Sequence, residues 1–186
     1  MISDRPLARR HLGLGLRLRP GLAAALSVAA AALFPSLGSL FDPPMLDDGA
    51  ALENPLVHGL TNAGRIFAIP SGHSGAPYVR GPYRPLTTLS YALNWSVHRG
   101  FLPGFHAVNL ALHAASSVLV TLLPFLLARA AVPARAGRVS LLAGLLFALH
   151  PAHVEAVVTI SGRAEPLSTL CALLVLLLAL RGLRRP

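Results

Sequence analysis

The sequence predicts an all-α polytopic membrane protein with about four transmembrane helices and a long first extracytoplasmic loop, and three observations carry that prediction. First, 54% of the 186 residues are hydrophobic, 12% are charged and the mean hydropathy is +0.61, far too apolar for a soluble domain. Second, four apolar segments stand apart, each near the roughly 17 to 25 residues that a helix needs to cross a bilayer. Third, the sixteen basic residues are all arginine and cluster at alternate ends of those segments, as the positive-inside rule requires.

The chain divides accordingly. Residues 1–20 form a basic cytoplasmic N-terminus, with Arg5, Arg9, Arg10, Arg17 and Arg19. Residues 21–180 form the membrane module, with crossings at about 21–41, 105–128, 139–160 and 162–180 and an outer loop at 42–104. Residues 181–186 form a basic cytoplasmic tail. Eleven arginines fall in the three short inside segments, and Arg65, Arg80, Arg84, Arg99 and Arg163 fall in the longer outside ones. Six of the seven acids, Asp42, Asp47, Asp48, Glu53, Glu155 and Glu165, lie on the outer side, so any chemistry is expected there. The net charge of +9 does not read as nucleic-acid binding, because the arginines share no face. Cys171 sits in an apolar run, cannot form an internal disulfide and reads as a small packing or lipid-facing residue.

Individual elements follow the same logic. The first apolar run follows arginines and is rich in alanine, which also fits a signal peptide, although no small-x-small cleavage site follows before Phe41. The glycines from Gly13 form no dinucleotide fingerprint, since no strand precedes them. Between Pro70 and Pro85 the outer loop is rich in Gly and Pro and reads as irregular. From Pro85, Leu86, Leu89, Leu93 and Val97 recur at helical spacing, with Tyr91 and Trp95 nearby. This is an amphipathic helix lying on the membrane surface with its aromatics at headgroup level, or a helix packed within a loop domain.

Polar groups at membrane depth are costly, so they are the candidates for function. Asp47 and Asp48 open the outer loop, and such a pair can hold a divalent cation, supply a general base or form an ordinary solvated turn before Gly49. His106, Asn109, His113 and Ser117 share one face of the second crossing, either as interhelical hydrogen-bonding groups or with His106 and Asn109 lining a water-filled cavity. In the third crossing only eleven residues, Val139 to Leu149, precede His150-Pro151, about 16 Å of helix. The helix must therefore kink at Pro151 and continue past Glu155, or end in the outer leaflet, with His150, His153 and Glu155 facing protein or water. The HxxxH spacing of a helical zinc site is absent there. Arg163 lies outside, near the start of an apolar helix at Pro166, where a phosphate would be favoured; an ion pair with Glu155 or Glu165 is the alternative.

Five ordered blocks together carry a family resemblance: LDDGAALENPLV (46 to 57), YRPLTTLSYALN (83 to 94), GFHAVNLALHA (104 to 114), LLFALHPAHVEAV (145 to 157) and SGRAEPLS (161 to 168). Over about residues 41 to 180 the chain resembles the N-terminal membrane module of the TMTC family, transmembrane proteins with tetratricopeptide repeats that act as O-mannosyltransferases of the GT-C superfamily. The family's last block usually ends Gly-Arg-Ala-Asp, where this chain has Glu165, one methylene longer. The family has many more crossings and a C-terminal repeat array, so the chain is expected to be a first module or a fragment of a longer protein.

The resemblance implies transfer of mannose, with inversion, from a polyprenyl-phosphate sugar lipid to a hydroxyl acceptor, a Ser or Thr of an acceptor polypeptide. Asp47 or Asp48 would be the general base, and Glu155 would orient the histidines or the sugar. Arg163, with His150 or His153, would stabilise the departing phosphate. Arg84, His106, Asn109 and Glu165 complete the donor-binding set, and the helix after Tyr83 would guide the lipid tail among membrane lipids. A divalent metal is possible without being required, and no other cofactor is implied. The expected location is a bacterial plasma membrane, active side outward. A non-catalytic scaffold or remnant and a transporter fragment are the competing readings.

Overall fold

The computed structural model describes residues 14–45, 47–68, 83–131 and 133–183. The outermost arginines Arg5, Arg9, Arg10, Arg184 and Arg185, together with Arg80 and the Gly/Pro-rich stretch 69–82, lie outside the described residues. Among the described residues eight α-helices follow in order: α1 (Leu14–Leu33), α2 (Asp48–Leu52), α3 (Ala63–Ala68), α4 (Pro85–His98), α5 (Leu102–Ala131), α6 (Ala136–Ala148), α7 (Val154–Val158) and α8 (Ala164–Gly182). Short 3-10 turns join them, and there is no strand among the described residues.

Among the described residues three stretches are long and apolar enough to cross a membrane: Gly21–Phe41, Leu102–Leu127 and Ser161–Gly182. A fourth, Ala136–Ala148 with Pro151–Val158, passes only as a pair bent by 46°. The chain is thus an all-α polytopic membrane protein. The bend has a plain cause: Pro151 has no backbone N–H and its ring clashes with the preceding turn, so α6 stops at Ala148 and the chain restarts as a 3-10 turn and then α7. Of the two courses the sequence left open, the chain takes the continuing one and ends it at Val158.

Helix α5 is the central post, packed against α1, α6 and α8. Where it meets α1 and α6 the core is built of small residues, Ala32, Ala114 and Ala148 around Val28, which let helix backbones approach closely. Gly144 belongs to the same contact: a Cβ there would run into the Thr121 side chain.

Helix α4 lies where the sequence placed an amphipathic helix, and its two faces are distinct. Leu86, Leu93 and Val97 are exposed, whereas Tyr91, Ala92 and Asn94 are buried. The exposed apolar stripe is the face a bilayer surface would accept. Tyr91 is a correction to the expected headgroup anchor: it is 6% exposed and packs with Val57, Phe105 and Ile160. The helix ends at Arg99, whose φ of 54° is left-handed, followed by Gly100 at φ 85°. Its ring of Trp95 would meet any side chain at position 100.

Candidate functional site

The break between α7 and α8 creates the chemical problem around which the site is built. The α-helix ends at Val158, so the carbonyls of residues 158–160 lose their regular α-helical partners and, at membrane depth, need substitutes. Side chains of α4 and α5 provide them. The Val158 carbonyl lies 2.9 Å from His106 Nδ1, the Thr159 carbonyl accepts from Asn109 Nδ2 at 2.7 Å, and the Ile160 carbonyl accepts from the Tyr91 hydroxyl at 2.7 Å. Farther down the same α5 face, His113 Nε2 lies 3.2 Å from the carbonyl of Ala148, where α6 ends. The stripe predicted on α5 therefore exists, and it works as hydrogen-bonding glue. His106 and Asn109 are fully buried against that backbone.

Arg163 sits at the centre of this cluster, fully buried. Its Nε donates to Asn109 Oδ1 at 2.7 Å, Nη2 donates to Asn94 Oδ1 at 2.8 Å and to the Phe105 carbonyl at 2.9 Å, and Nη1 donates to the Ser90 carbonyl at 3.3 Å. The guanidinium carbon also lies 4.4 Å from the centre of the Tyr91 ring. Four of its five N–H groups are thus engaged by protein. Neither sequence expectation for Arg163 describes this arrangement: it is shut away from a lipid phosphate, and its described partners are neutral oxygens instead of Glu155 or Glu165. The buried positive charge is tolerated here because the acceptors are numerous and well aligned.

Asp47 and Asp48 diverge although they are neighbours. Asp48 is fully buried; its Oδ2 accepts from the Met45 N–H at 3.0 Å and its Oδ1 from the Ser161 N–H at 2.7 Å. One carboxylate thereby joins the start of the outer loop to the α7–α8 connection, 113 residues away. Asp47, at the N-terminal boundary of α2, is exposed and makes no capping bond. Gly162 is required in the same connection, since a Cβ would come within 2.7 Å of the Ala156 carbonyl oxygen and the Gly162 N–H already donates to Thr159 Oγ1 at 3.1 Å.

Tyr91 borders Asp48 and Arg163 electrostatically. Burial pushes its hydroxyl up to about 12, partly offset by the Arg163 cation. The phenol therefore stays protonated and able to donate to Ile160 at any physiological pH.

A second, open region lies between α4 and α8. Arg84, Pro85, Leu86, Thr87, Ala164, Glu165, Leu167, Ser168 and Cys171 line a groove of about 470 Å³. At its mouth Arg84 Nη2 stands 3.9 Å from Glu165 Oε1, with the two side chains 48% and 66% exposed. Glu165 therefore has a basic partner, and it is Arg84. On its other side Glu165 borders a cavity of about 30 Å³ shared with His113, Ser116, Phe147 and His153. Here the rings of His113 and His153 are 5.3 Å apart, and those of His150 and His153 5.8 Å. His150 and Glu155 are exposed, and His150 Nδ1 accepts from the Ala152 N–H at 3.2 Å. No three His, Cys, Asp or Glu side chains converge on a metal position among the described residues.

The structure thus brings Asp48, Asn109, His106 and Arg163 together around one loop, gathers Arg84 and Glu165 at another place, and leaves Asp47, His150 and Glu155 facing solvent. Sequence reasoning missed Asn94 as a ligand of Arg163. Its signal was present, because Asn94 and Tyr91 are three residues apart on one face of α4.

With this geometry in view, comparison with known proteins is informative. Over 145 residues the chain is 39% identical to protein O-mannosyl-transferase Tmtc2 of Drosophila melanogaster, covering 74% of the chain. The chain is TMTC-like. The TMTC-like sequence extends to protein O-mannosyl-transferase F38B6.6 of Caenorhabditis elegans, 31% identical over 158 residues and 81% of the chain, and to Tmtc1 of Drosophila melanogaster, 45% identical over 108 residues and 55% of the chain. It spans only 12 to 22% of the length of these relatives. No protein-family model and no solved structure matches it.

Proposed function

We propose that the chain is part of a membrane glycosyltransferase that moves mannose from a polyprenyl-phosphate donor to a Ser or Thr hydroxyl of an acceptor polypeptide on the extracytoplasmic side. The names of the relatives support the class of transfer. The observation that carries the residue assignment is the opposite fate of the two adjacent aspartates. Asp48 spends its carboxylate on two backbone N–H groups, which fixes the segment; Asp47 is left exposed at its edge as a free carboxylate.

In this reading Asp47 accepts the proton of the acceptor hydroxyl as that oxygen attacks the anomeric carbon. The bond from that carbon to the phosphate oxygen breaks, polyprenyl phosphate leaves with the electron pair, and one displacement inverts the anomeric centre. The donor lies in the α4–α8 groove, whose Leu86, Leu167 and Ala164 suit an isoprenoid tail and whose mouth presents Arg84 to the phosphate. Without donor, the Glu165 carboxylate occupies the place of that phosphate beside Arg84. His150 and Glu155, both exposed, remain for contacts with sugar or acceptor. The arginine distribution supports the outward orientation.

The test is a chimera in which this chain replaces the matched 145 residues of the Drosophila Tmtc2 relative, assayed with radiolabelled polyprenyl-phosphate mannose and a Ser/Thr-rich peptide. Asp47→Asn is expected to lower transfer by about 10²- to 10⁴-fold, as removal of a general base does, while photocrosslinking of the donor persists. Near-parental turnover in Asp47→Asn removes it from the mechanism, and a parental chimera that binds donor without transferring sugar supports a scaffold instead.

A further inference from the structure

We infer that Arg163 is a positioning residue which, through the Thr159–Arg163 connection, fixes the aspartate pair at the start of the outer loop. The inference deepens the glycosyltransferase reading and relies on it only for its activity arm. The path is continuous. Arg163 Nε donates to Asn109, and the same Asn109 amide donates back to the Thr159 carbonyl, so one asparagine closes a ring over both ends of the connection. Tyr91 holds Ile160 between them and stacks its ring on the guanidinium. Within this staple the Ser161 N–H projects to Asp48 Oδ1 at 2.7 Å, and Asp48 Oδ2 accepts from Met45. Among the described residues no hydrogen bond of Arg163 reaches residues 45–53 themselves. The hydrogen-bonded route from Arg163 to the aspartate pair therefore runs through Ser161 and Asp48, beside the packing of Ala51 and Leu52 on the Tyr91–Phe105 cluster.

A lysine would keep the charge and lose the planar fork. Its three tetrahedral donors cannot serve Asn94, Asn109, Phe105 and Ser90 together, so the connection should loosen while a cation remains. A merely structural arginine predicts a uniformly weakened fold, and a donor-phosphate arginine predicts weaker donor binding. A positioning arginine predicts neither.

Hydrogen exchange of the 186-residue chain in detergent distinguishes these. In Arg163→Lys the amides of 45–53 should exchange about tenfold faster, the size expected when one hydrogen bond in a relay is weakened, with those of 105–127 unchanged. Asn94→Ala, which removes one of the four acceptors, is the milder variant should the lysine protein not fold, and it should shift the same segment less. Acceleration confined to 159–163, or spread equally over α5, overturns the proposal. In the chimera Arg163→Lys should lower kcat at unchanged KM for the donor; a raised KM would mean that Arg163 touches the donor and would equally overturn it. A parental chimera with no activity would count against the transferase reading alone, because the exchange result stands without it.

Discussion

Two arginines of this molecule, Arg163 and Arg84, live under opposite rules. Arg163 is buried among neutral oxygens, with four N–H groups engaged at 2.7 to 3.3 Å; Arg84 stands half exposed, 3.9 Å from a carboxylate that is itself mostly in solvent. The first arrangement is rigid because any rotation strands a buried donor. The second can change partner at little cost, since an exposed ion pair is worth roughly 0 to 1 kcal/mol. A protein that binds a charged ligand needs both: a fixed frame and a charge that is free to be taken. The comparison predicts that variants in the buried cluster alter stability, and that variants at the groove alter binding.

The sharpest break is Arg163→Met. It leaves the Asn94 and Asn109 side-chain oxygens without the Arg163 donor and takes a second donor from the Ser90 and Phe105 carbonyls, and each buried acceptor left unpaired costs about 1 to 3 kcal/mol. We expect the largest loss of thermal stability in detergent of any single substitution discussed here, or failure to accumulate. A melting curve within a few degrees of the parent would show that the cluster is not the frame.

Tyr91→Phe is the next test, because it removes one donor and keeps the ring. The Ile160 carbonyl loses the Tyr91 bond while keeping the Arg163 N–H at 3.2 Å, an effect of about 0.5 to 1.5 kcal/mol, with donor binding unchanged. The pH dependence carries a further check. Burial raises the phenol to about 12 from an ordinary 10.0. A raised value means that the stabilisation is fully present below pH 10 and is lost as pH rises through about 12. Parental stability should therefore fall across that window more steeply than that of Tyr91→Phe. Parallel curves would mean that Tyr91 is not the group responsible.

Much of the frame was legible in the sequence, and the reasons are physical. Apolar length marked the candidate crossings, and Pro151 after eleven helical residues required the third helix to kink or to end early, since both are consequences of local chain chemistry. The spacing of His106, Asn109 and His113 put them on one face of α5. What the sequence withheld was the partner of each polar group. Helical periodicity places Asn94 and Tyr91 on one face without saying that Arg163 will lie against it, 69 residues away. Nor does it tell two adjacent aspartates apart; only the arrival of the Ser161 N–H makes Asp48 structural and leaves Asp47 free. Arg163 read as a phosphate ligand from its place before an apolar helix, or as an ion-pair partner from the acids near it in sequence, while its spatial partners are amide and carbonyl oxygens.

The smallest expected effect is the most discriminating between the two regions. The TMTC resemblance implies an aspartate where this chain has Glu165, whose longer arm reaches Arg84 at only 3.9 Å. Glu165→Asp withdraws the carboxylate by one methylene, so the pair should weaken or part. Because both side chains are exposed, stability should change by no more than about 0.5 kcal/mol, the ordinary range for surface substitutions. If the glutamate occupies the phosphate position, Arg84 becomes more available and a polyprenyl-phosphate lipid should bind a few-fold more tightly to Glu165→Asp, whereas Arg84→Gln should bind it less tightly at unchanged melting temperature. Fluorescence titration of a labelled polyprenyl phosphate into the detergent-solubilised chain reads both. Tighter binding to the aspartate variant would establish Glu165 as a displaceable stand-in for the donor phosphate; weaker binding to both variants would instead make Glu165 a ligand in its own right, because a competitor cannot be shortened and leave its rival worse off.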